Sequence, residues 1–281
     1  AQLSAEQAYK LEYVHGAQLD ALREEACDVR DHHWGKVITY SRKVFIPLTN
    51  MCRDECKYCT FVQHPESGNA NIMTPAQVLT IVKQGEQAGC KEVLLSLGEK
   101  PELRYREARQ MLAKLGFTSM IDYVVNICEL ILKETNLLPH VNAGTMDSAE
   151  FSKLKAVSAS MGMMLETVSE RLLEKGQAHF SCPDKVPATR IATIVSAGEL
   201  QVPYTTGILV GIGETWNERV DSLVKINELH HKYGHIQEVI VQNFCAKDDT
   251  QMAEFPEPSL EDMLRTLAVA RLILPPSISL Q

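Results

Sequence analysis

The chain has 281 residues, of which 45% are hydrophobic and 23% charged, and a formal net charge of −8. That is the composition of a soluble globular protein, long enough for one α/β barrel or two small domains. The acidic balance, with no run of Lys and Arg, argues against a nucleic-acid partner, and no apolar stretch approaches membrane-spanning length.

The N-terminal AQLSAEQAYKLEYV is polar and reads as a helix, not as a secretory signal. Residues 1–40 are expected to form a helical extension, with the catalytic domain at 41–281. The absence of an initiator Met leads to the expectation that the chain was trimmed from something longer. KVFIPLTN (43–50) is then a strand running into a cysteine-rich loop. MTPAQVLTIVKQGEQAG is a helix with Thr74 as N-cap, Pro75 in the first helical position, Gln77 completing a capping box and Gly89 as the stop. KEVLLSLGE (91–99) is an apolar strand of the buried, parallel kind, and 120–136 a helix. Strands at 139–146, 158–166, 204–214 and 237–244 alternate with helices in DSAEFSKLKAV, PATRIATIVSAGEL, NERVDSLVKINELHHKYG and SLEDMLRTLAVARLIL. Pro275 and Pro276 stop the last helix, and SISLQ looks like a strand just beginning.

Six strand–helix units and the opening of a seventh predict a parallel (β/α) barrel cut off inside its seventh strand. No G-x-G-x-x-G fingerprint follows the first strand to favour a doubly wound sheet. Barrel sites lie at the C-terminal ends of the strands. Cys52, Cys56, Cys59, Gly98, Glu99, Asn142, Thr145, Glu166, Gly211 to Glu214, Gln242 and Asn243 all fall there.

Five of the eight cysteines (Cys27, Cys90, Cys128, Cys182, Cys245) are scattered singly, too sparsely for a disulfide scaffold, so a reducing compartment, the cytoplasm, is expected. The other three form C-x3-C-x2-C, in NMCRDECKYCTF. Zinc would complete a Cys3His set with His64, and a redox disulfide would use Cys56 and Cys59 and leave Cys52 unexplained. An iron–sulfur cubane held by only three cysteines keeps one iron open for a ligand bearing an amine and a carboxylate. Among the histidines, His32, His33, His230, His231 and His235 read as solvated, and Met161, Met163 and Met164 as core filling.

C-x3-C-x2-C with an aromatic, Tyr58, before the last cysteine resembles the signature of the radical S-adenosylmethionine (SAM) enzymes. SLGE at the end of the second strand resembles that family's Gly-Glu motif, and GILVGIGET its glycine-rich fifth-strand motif. The resemblance implies a 4Fe–4S cluster on Cys52, Cys56 and Cys59. It implies SAM contacts from Tyr58, Gly98, Glu99, Asn142, Glu166, Arg171, Gly211 and Ile212. Longer stretches (TYSRKVFIPLTNMCRDECKYCTF, LPHVNAGTM, MGMMLETVSERL, PDKVPATRI, PYTTGILVGIGET and EVIVQNFCAK) resemble the ring-closing half of the 7,8-didemethyl-8-hydroxy-5-deazariboflavin synthases. That implies a tyrosine–ribityluracil adduct as substrate, with His179, Asp184, Lys185, Gln242 and Asn243 as candidate contacts. It also implies a tyrosine-coupling radical SAM subunit or fused half as partner, and an external low-potential electron donor. A biotin-synthase-like radical SAM enzyme is the alternative, less favoured because the remaining single cysteines match no second-cluster ligand set. Two positions depart from the family pattern: Cys245 stands where an Arg is expected and Cys182 where a Ser or Gly is more usual.

Overall fold

Residues 2–281 are described by a computed structural model. Two helices open it, α1 (Ala5–Tyr9) and α2 (Gly16–Trp34). There follow β1 (Lys43–Pro47), α3 (Pro75–Gln87), β2 (Glu92–Ser96), α4 (Arg106–Lys114), α5 (Met120–Glu134), β3 (Leu138–Asn142) and α6 (Ser148–Lys155). The second half contains β4 (Ser160–Gly162), α7 (Pro187–Glu199), β5 (Tyr204–Val210), α8 (Trp216–Tyr233), β6 (Ile236–Asn243), α9 (Leu260–Ile273) and β7 (Ser279–Leu280). The seven strands pair in parallel in the order β1 to β7, so each helix carries the chain back over one face.

One register row runs through Ile46, Leu95, Val141, Met161 and Tyr204, all fully buried. Tyr204 meets Phe151 of α6 at 6.1 Å, so this is the face the helices cover. The sheet does not close into a barrel: among the described residues β1 and β7 are its two edges, and Phe45 on β1 is 51% exposed. Helix α1 is tied to the body by Trp216 Nε1, which donates to the Ala8 carbonyl at 3.0 Å, and by Tyr9, whose hydroxyl pairs with Asp221.

Helix α3 begins as its sequence requires, with Pro75 at its start and a reciprocal capping box between Thr74 and Gln77. The strands, by contrast, are shorter than the apolar runs suggested. β3 and β5 stop at Asn142 and Val210, next to the left-handed Gly144 (φ 75°) and Gly211 (φ 94°), while β4 stops at Gly162 and the chain touches β5 again only at Glu166, itself left-handed (φ 66°). Helix α4 was not expected. Its apolar stripe, Ala108, Met111 and Leu112, does have helical spacing, but the helix is only nine residues long and otherwise polar. His235 corrects another expectation: it is 4% exposed, between Tyr204 and Tyr233, and burial lowers its pKa to about 4.

Candidate active site

The C-terminal strand ends converge on the loop that follows β1. Gly98 makes the approach possible: a Cβ there would lie 2.0 Å from the Met51 carbonyl oxygen and 2.9 Å from Cys52 Cβ. With no side chain in the way, Gly98 N–H donates to the Thr49 carbonyl (3.1 Å), Arg53 N–H to the Glu99 carbonyl (2.9 Å), and Glu99 N–H to Cys52 Sγ (3.1 Å).

Cys52 is buried, Cys56 and Cys59 half-buried, and all three are free thiols. Burial pushes Cys52 up to about 12 and also raises Cys59, whereas a hydrogen bond from Cys182 lowers Cys56. Thiols held from water in this way are ionised by a metal, whose charge supplies what burial withholds. A single zinc ion would draw its sulfurs to roughly 3.8 Å of one another. Among the described residues the only His, Cys, Asp or Glu group whose ligand atoms all lie within 4.8 Å is Asp54, Glu99 and Asp184. The three sulfurs do not all lie within 4.8 Å of one another, a wider spread than a single zinc ion would hold. His64 does not complete a zinc set either, since it is exposed and its Nδ1 lies 3.1 Å from the Tyr105 hydroxyl.

Glu99 is buried and accepts from Thr145 N–H and hydroxyl, both at 2.8 Å. Gly144 leaves room for it, as a Cβ there would fall 2.0 Å from a Glu99 carboxylate oxygen. Burial, and then the Asp184 charge, raises Glu99 to about 7. Asp184 itself is chelated by the Arg53 guanidinium and accepts from Thr145 at 3.0 Å, and its backbone N–H donates to Asp54 at 3.1 Å. This acidic group is thus met by the protein's own donors.

Beyond β4, Glu166 rejoins the sheet beside β5, with its N–H on the Gly207 carbonyl (2.9 Å) and its carbonyl accepting from Leu209 (3.1 Å). Its left-handed backbone costs about 1 kcal/mol for a residue with a Cβ. Four partners hold it there. The carboxylate pairs with the Lys185 ammonium and the Tyr58 hydroxyl, lies 3.0 Å from His179 Nε2, and is 3.7 Å from Arg190. Burial alone would raise the Glu166 carboxyl, but Lys185, His179 and Arg190 together hold it well below the usual range. Tyr58, by burial and the Glu166 charge, is raised well above its ordinary value. His179 Nδ1 is buried without a hydrogen-bond partner among the described residues.

After β5, Glu214 folds back to accept from Gly211 N–H (2.8 Å) and Ile212 N–H (2.9 Å), and Arg219 of α8 braces it at 2.8 Å. Arg171 lies outside the Glu166 network: it pairs with Glu218 (2.8 Å) and donates to the Gly213 carbonyl (2.7 Å). Asn142 is half-buried at the end of β3, and Gln242 and Asn243 are exposed at the end of β6. Cys245 is exposed, with the Lys247 ammonium 3.2 Å from its sulfur. The structure thus joins Cys52, Cys56, Cys59, Tyr58, Gly98, Glu99, Glu166, His179, Asp184 and Lys185 in one site. Sequence reasoning passed over Asp54, Arg190 and Arg219, the partner of Glu214. Only the short interval from Lys185 to Arg190, across the start of α7, signalled Arg190.

Three thiols on a loop at the mouth of a parallel βα sheet, with the Glu99 and Glu166 networks beside them, are the arrangement expected of a radical SAM enzyme. The family model described as the Radical SAM superfamily matches residues 46–226, and the cofactor pair of that superfamily is a 4Fe–4S cluster and SAM. The FO synthase of Mycobacterium tuberculosis (strain H37Rv) is 52% identical over 249 residues, which are 87% of this chain and 29% of that protein. The FO synthase of Nocardia farcinica is 49% identical over 99% of this chain and 33% of its own length. The chain thus spans about a third of those relatives or less. It covers 72% of the 7,8-didemethyl-8-hydroxy-5-deazariboflavin synthase of Methanopyrus kandleri, at 49% identity over 85% of its own length. The chain belongs to the radical SAM superfamily and, within it, to the family of this deazariboflavin synthase. In fold it is similar to the FeFe-hydrogenase maturase HydG from Carboxydothermus hydrogenoformans (TM-score 0.82, 19% identity, 99% of this chain and 62% of that one). It is also similar to methylornithine synthase PylB (TM-score 0.74, 21% identity, 100% of this chain and 75% of that one).

Proposed function

We propose that this chain carries the ring-closing reaction of deazaflavin synthesis. The substrates are 5-amino-5-(4-hydroxybenzyl)-6-(D-ribitylimino)-5,6-dihydrouracil and SAM. The products are 7,8-didemethyl-8-hydroxy-5-deazariboflavin, 5′-deoxyadenosine, methionine and ammonia. The observation that carries the reading is the 49% identity to the Methanopyrus kandleri synthase across 72% of that protein. The cofactor pair, when bound, supplies a one-electron reduction and a hydrogen-atom abstraction.

In this reading Cys52, Cys56 and Cys59 hold the cluster. Tyr58, Gly98, Glu99, Asn142, Glu166, Gly211 and Ile212 line the SAM side. Arg171 acts there through the Gly213 carbonyl that it holds. Lys185, His179, Gln242 and Asn243 face the polyol and phenol of the substrate, while Asp184 positions the cysteine loop through Arg53. His179 Nε2, 2.9 Å from the Tyr58 hydroxyl and 3.0 Å from Glu166, can hold or pass a proton as ammonia leaves. The partners are a tyrosine-coupling radical SAM half, separate or fused, and an external low-potential electron donor. Eight free cysteines suit a reducing compartment, the cytoplasm. Residues 1–40 are an extension on a catalytic domain at 41–281. No helix is long and apolar enough to cross a membrane.

The test uses anaerobically reconstituted protein given SAM, dithionite and the adduct, with 5′-deoxyadenosine and deazaflavin fluorescence measured together. Both are expected, and both should vanish in Cys56→Ala. 5′-Deoxyadenosine without deazaflavin would overturn the substrate assignment.

A further inference from the structure

A fourth thiol lies against the three-cysteine loop. Cys182 is 2% exposed, and its Sγ is 3.7 Å from Cys56 Sγ. Among the described residues the only other acceptor it meets is the Phe180 carbonyl, also at 3.7 Å. The contact is built by the backbone. Ser181 takes a left-handed conformation (φ 65°) that turns the next side chain inward. Cys182 N–H donates to the His179 carbonyl and Lys185 N–H to the Cys182 carbonyl, both at 3.1 Å. The segment is fastened to the cysteine loop at three places. Lys57 N–H reaches the Ala178 carbonyl (3.1 Å), Asp184 N–H reaches Asp54 (3.1 Å), and the Arg53 guanidinium chelates Asp184. The two loops are therefore held at a fixed distance, and the two sulfurs with them.

We propose that the Cys182 S–H donates a hydrogen bond to the Cys56 sulfur when that sulfur is a cluster ligand, and that this bond raises the reduction potential of the cluster. The proposal rests on the cluster assignment of Cys52, Cys56 and Cys59. A ligand sulfur carries more negative charge in the reduced cluster than in the oxidised one. A donor aimed at it favours reduction, and hydrogen bonds to ligand sulfurs are among the recognised determinants of cluster potential. Between its two acceptors the thiol takes the charged one, because a hydrogen bond to an ionised acceptor is roughly twice as strong as one to a neutral carbonyl. Cys182 touches neither substrate nor the reacting atoms, so it is a positioning residue whose effect passes through Cys56. The reaction begins with electron transfer to SAM, and the potential sets how readily the cluster accepts the electron that it passes on.

The experiment compares the full chain, anaerobically reconstituted, with Cys182→Ser, Cys182→Ala and Cys182→Val. Iron and sulfide are counted, and the midpoint potential is read by potentiometry with EPR detection. With four irons per chain throughout, the Ala and Val variants should be reduced only at a more negative potential than wild type. The Ser variant, whose hydroxyl still donates, should lie nearer wild type. The Val variant keeps the side-chain bulk, so the comparison stands even where Ala does not fold. Donorless variants with full iron and the wild-type midpoint would overturn the proposal. So would a Ser variant shifted as far as Val, or iron lost from every variant, which would make Cys182 a ligand. Wild-type chain unable to bind four irons would instead overturn the cluster assignment.

Discussion

The Lys185 ammonium and the Glu166 carboxylate form an ion pair at the mouth of the sheet, with side chains 13% and 10% exposed. Removing one partner of such a pair leaves the other charge in a poorly solvated place, which costs roughly 3 kcal/mol or more. Lys185→Met is therefore expected to lower unfolding stability by about 3 kcal/mol, at the low end of that range because Arg190 and His179 remain beside Glu166. The double variant Glu166→Gln/Lys185→Met should recover most of the loss. Urea unfolding of the three proteins decides this: equal midpoints for Lys185→Met and wild type would mean the pair is solvated and worth little.

Acid stability is a contest between Glu99 and two histidines. Glu99 is raised from 4.5 to about 7, so between those values the folded state keeps a proton that the unfolded state has lost. Its contribution is complete below pH 4.5 and is lost as pH rises through 7. His140 and His235 are lowered from 6.5 to about 4, chiefly by burial. In that interval the unfolded state takes protons that the folded state refuses, so their contribution is present above 6.5 and lost as pH falls to 4. Each of the three groups is worth about 3 kcal/mol over its interval, and two outweigh one. Stability should fall on acidification from pH 6.5 to 4.5, more steeply in Glu99→Gln and less steeply in His235→Phe. Urea midpoints at four pH values test it, and superimposable curves for the three proteins would refute the assignment.

What was legible in the sequence was whatever repeats or is capped locally. The apolar runs around Val93–Leu95 and Ile208–Val210 and the Thr74 capping box declared parallel strands and a helix start. The cysteine spacing declared a soft-metal loop. The conformation after β4 was not legible, because Glu166 takes a left-handed backbone angle for which its residue type has no propensity, held there by partners drawn from residues 58 to 190. Pairings such as Arg53 with Asp184, 131 residues apart, have no local pattern. Neither does the burial of His235, which lies between Gly234 at the end of α8 and Ile236 at the start of β6. The open edge at β1 was implied by counting strands, and the Cys182–Cys56 contact was not implied by anything.

Gly98 tests how the second strand sets the cluster loop. An added methyl would overlap the Met51 carbonyl and press on Cys52, both backbone-anchored, so neither can swing aside. Gly98→Ala should therefore displace the loop and lose the Glu99 N–H bond to Cys52 Sγ. Reconstituted protein is expected to hold less than half the wild-type iron while its far-ultraviolet circular dichroism stays near wild type. Full iron content would show that the loop tolerates the strand end at a greater distance.

Glu214 is the last case, because it supports the proposed SAM contacts from behind. Its two oxygens accept from Gly211 and Ile212, and one of them also accepts from Arg219. In Glu214→Gln one acceptor becomes an amine that points at N–H donors, so a buried turn loses a charge-assisted bond and gains an unsatisfied group. Such a change costs about 1–3 kcal/mol. A share of about 1.4 kcal/mol felt at the site would weaken SAM binding roughly tenfold. Arg219→Lys, which keeps the charge but not the planar fork, should do the same more mildly. Equilibrium dialysis of SAM against reconstituted wild type and both variants measures the effect. Unchanged affinity in Glu214→Gln would mean that the Gly211–Ile212 turn holds its shape unaided and the brace serves stability alone.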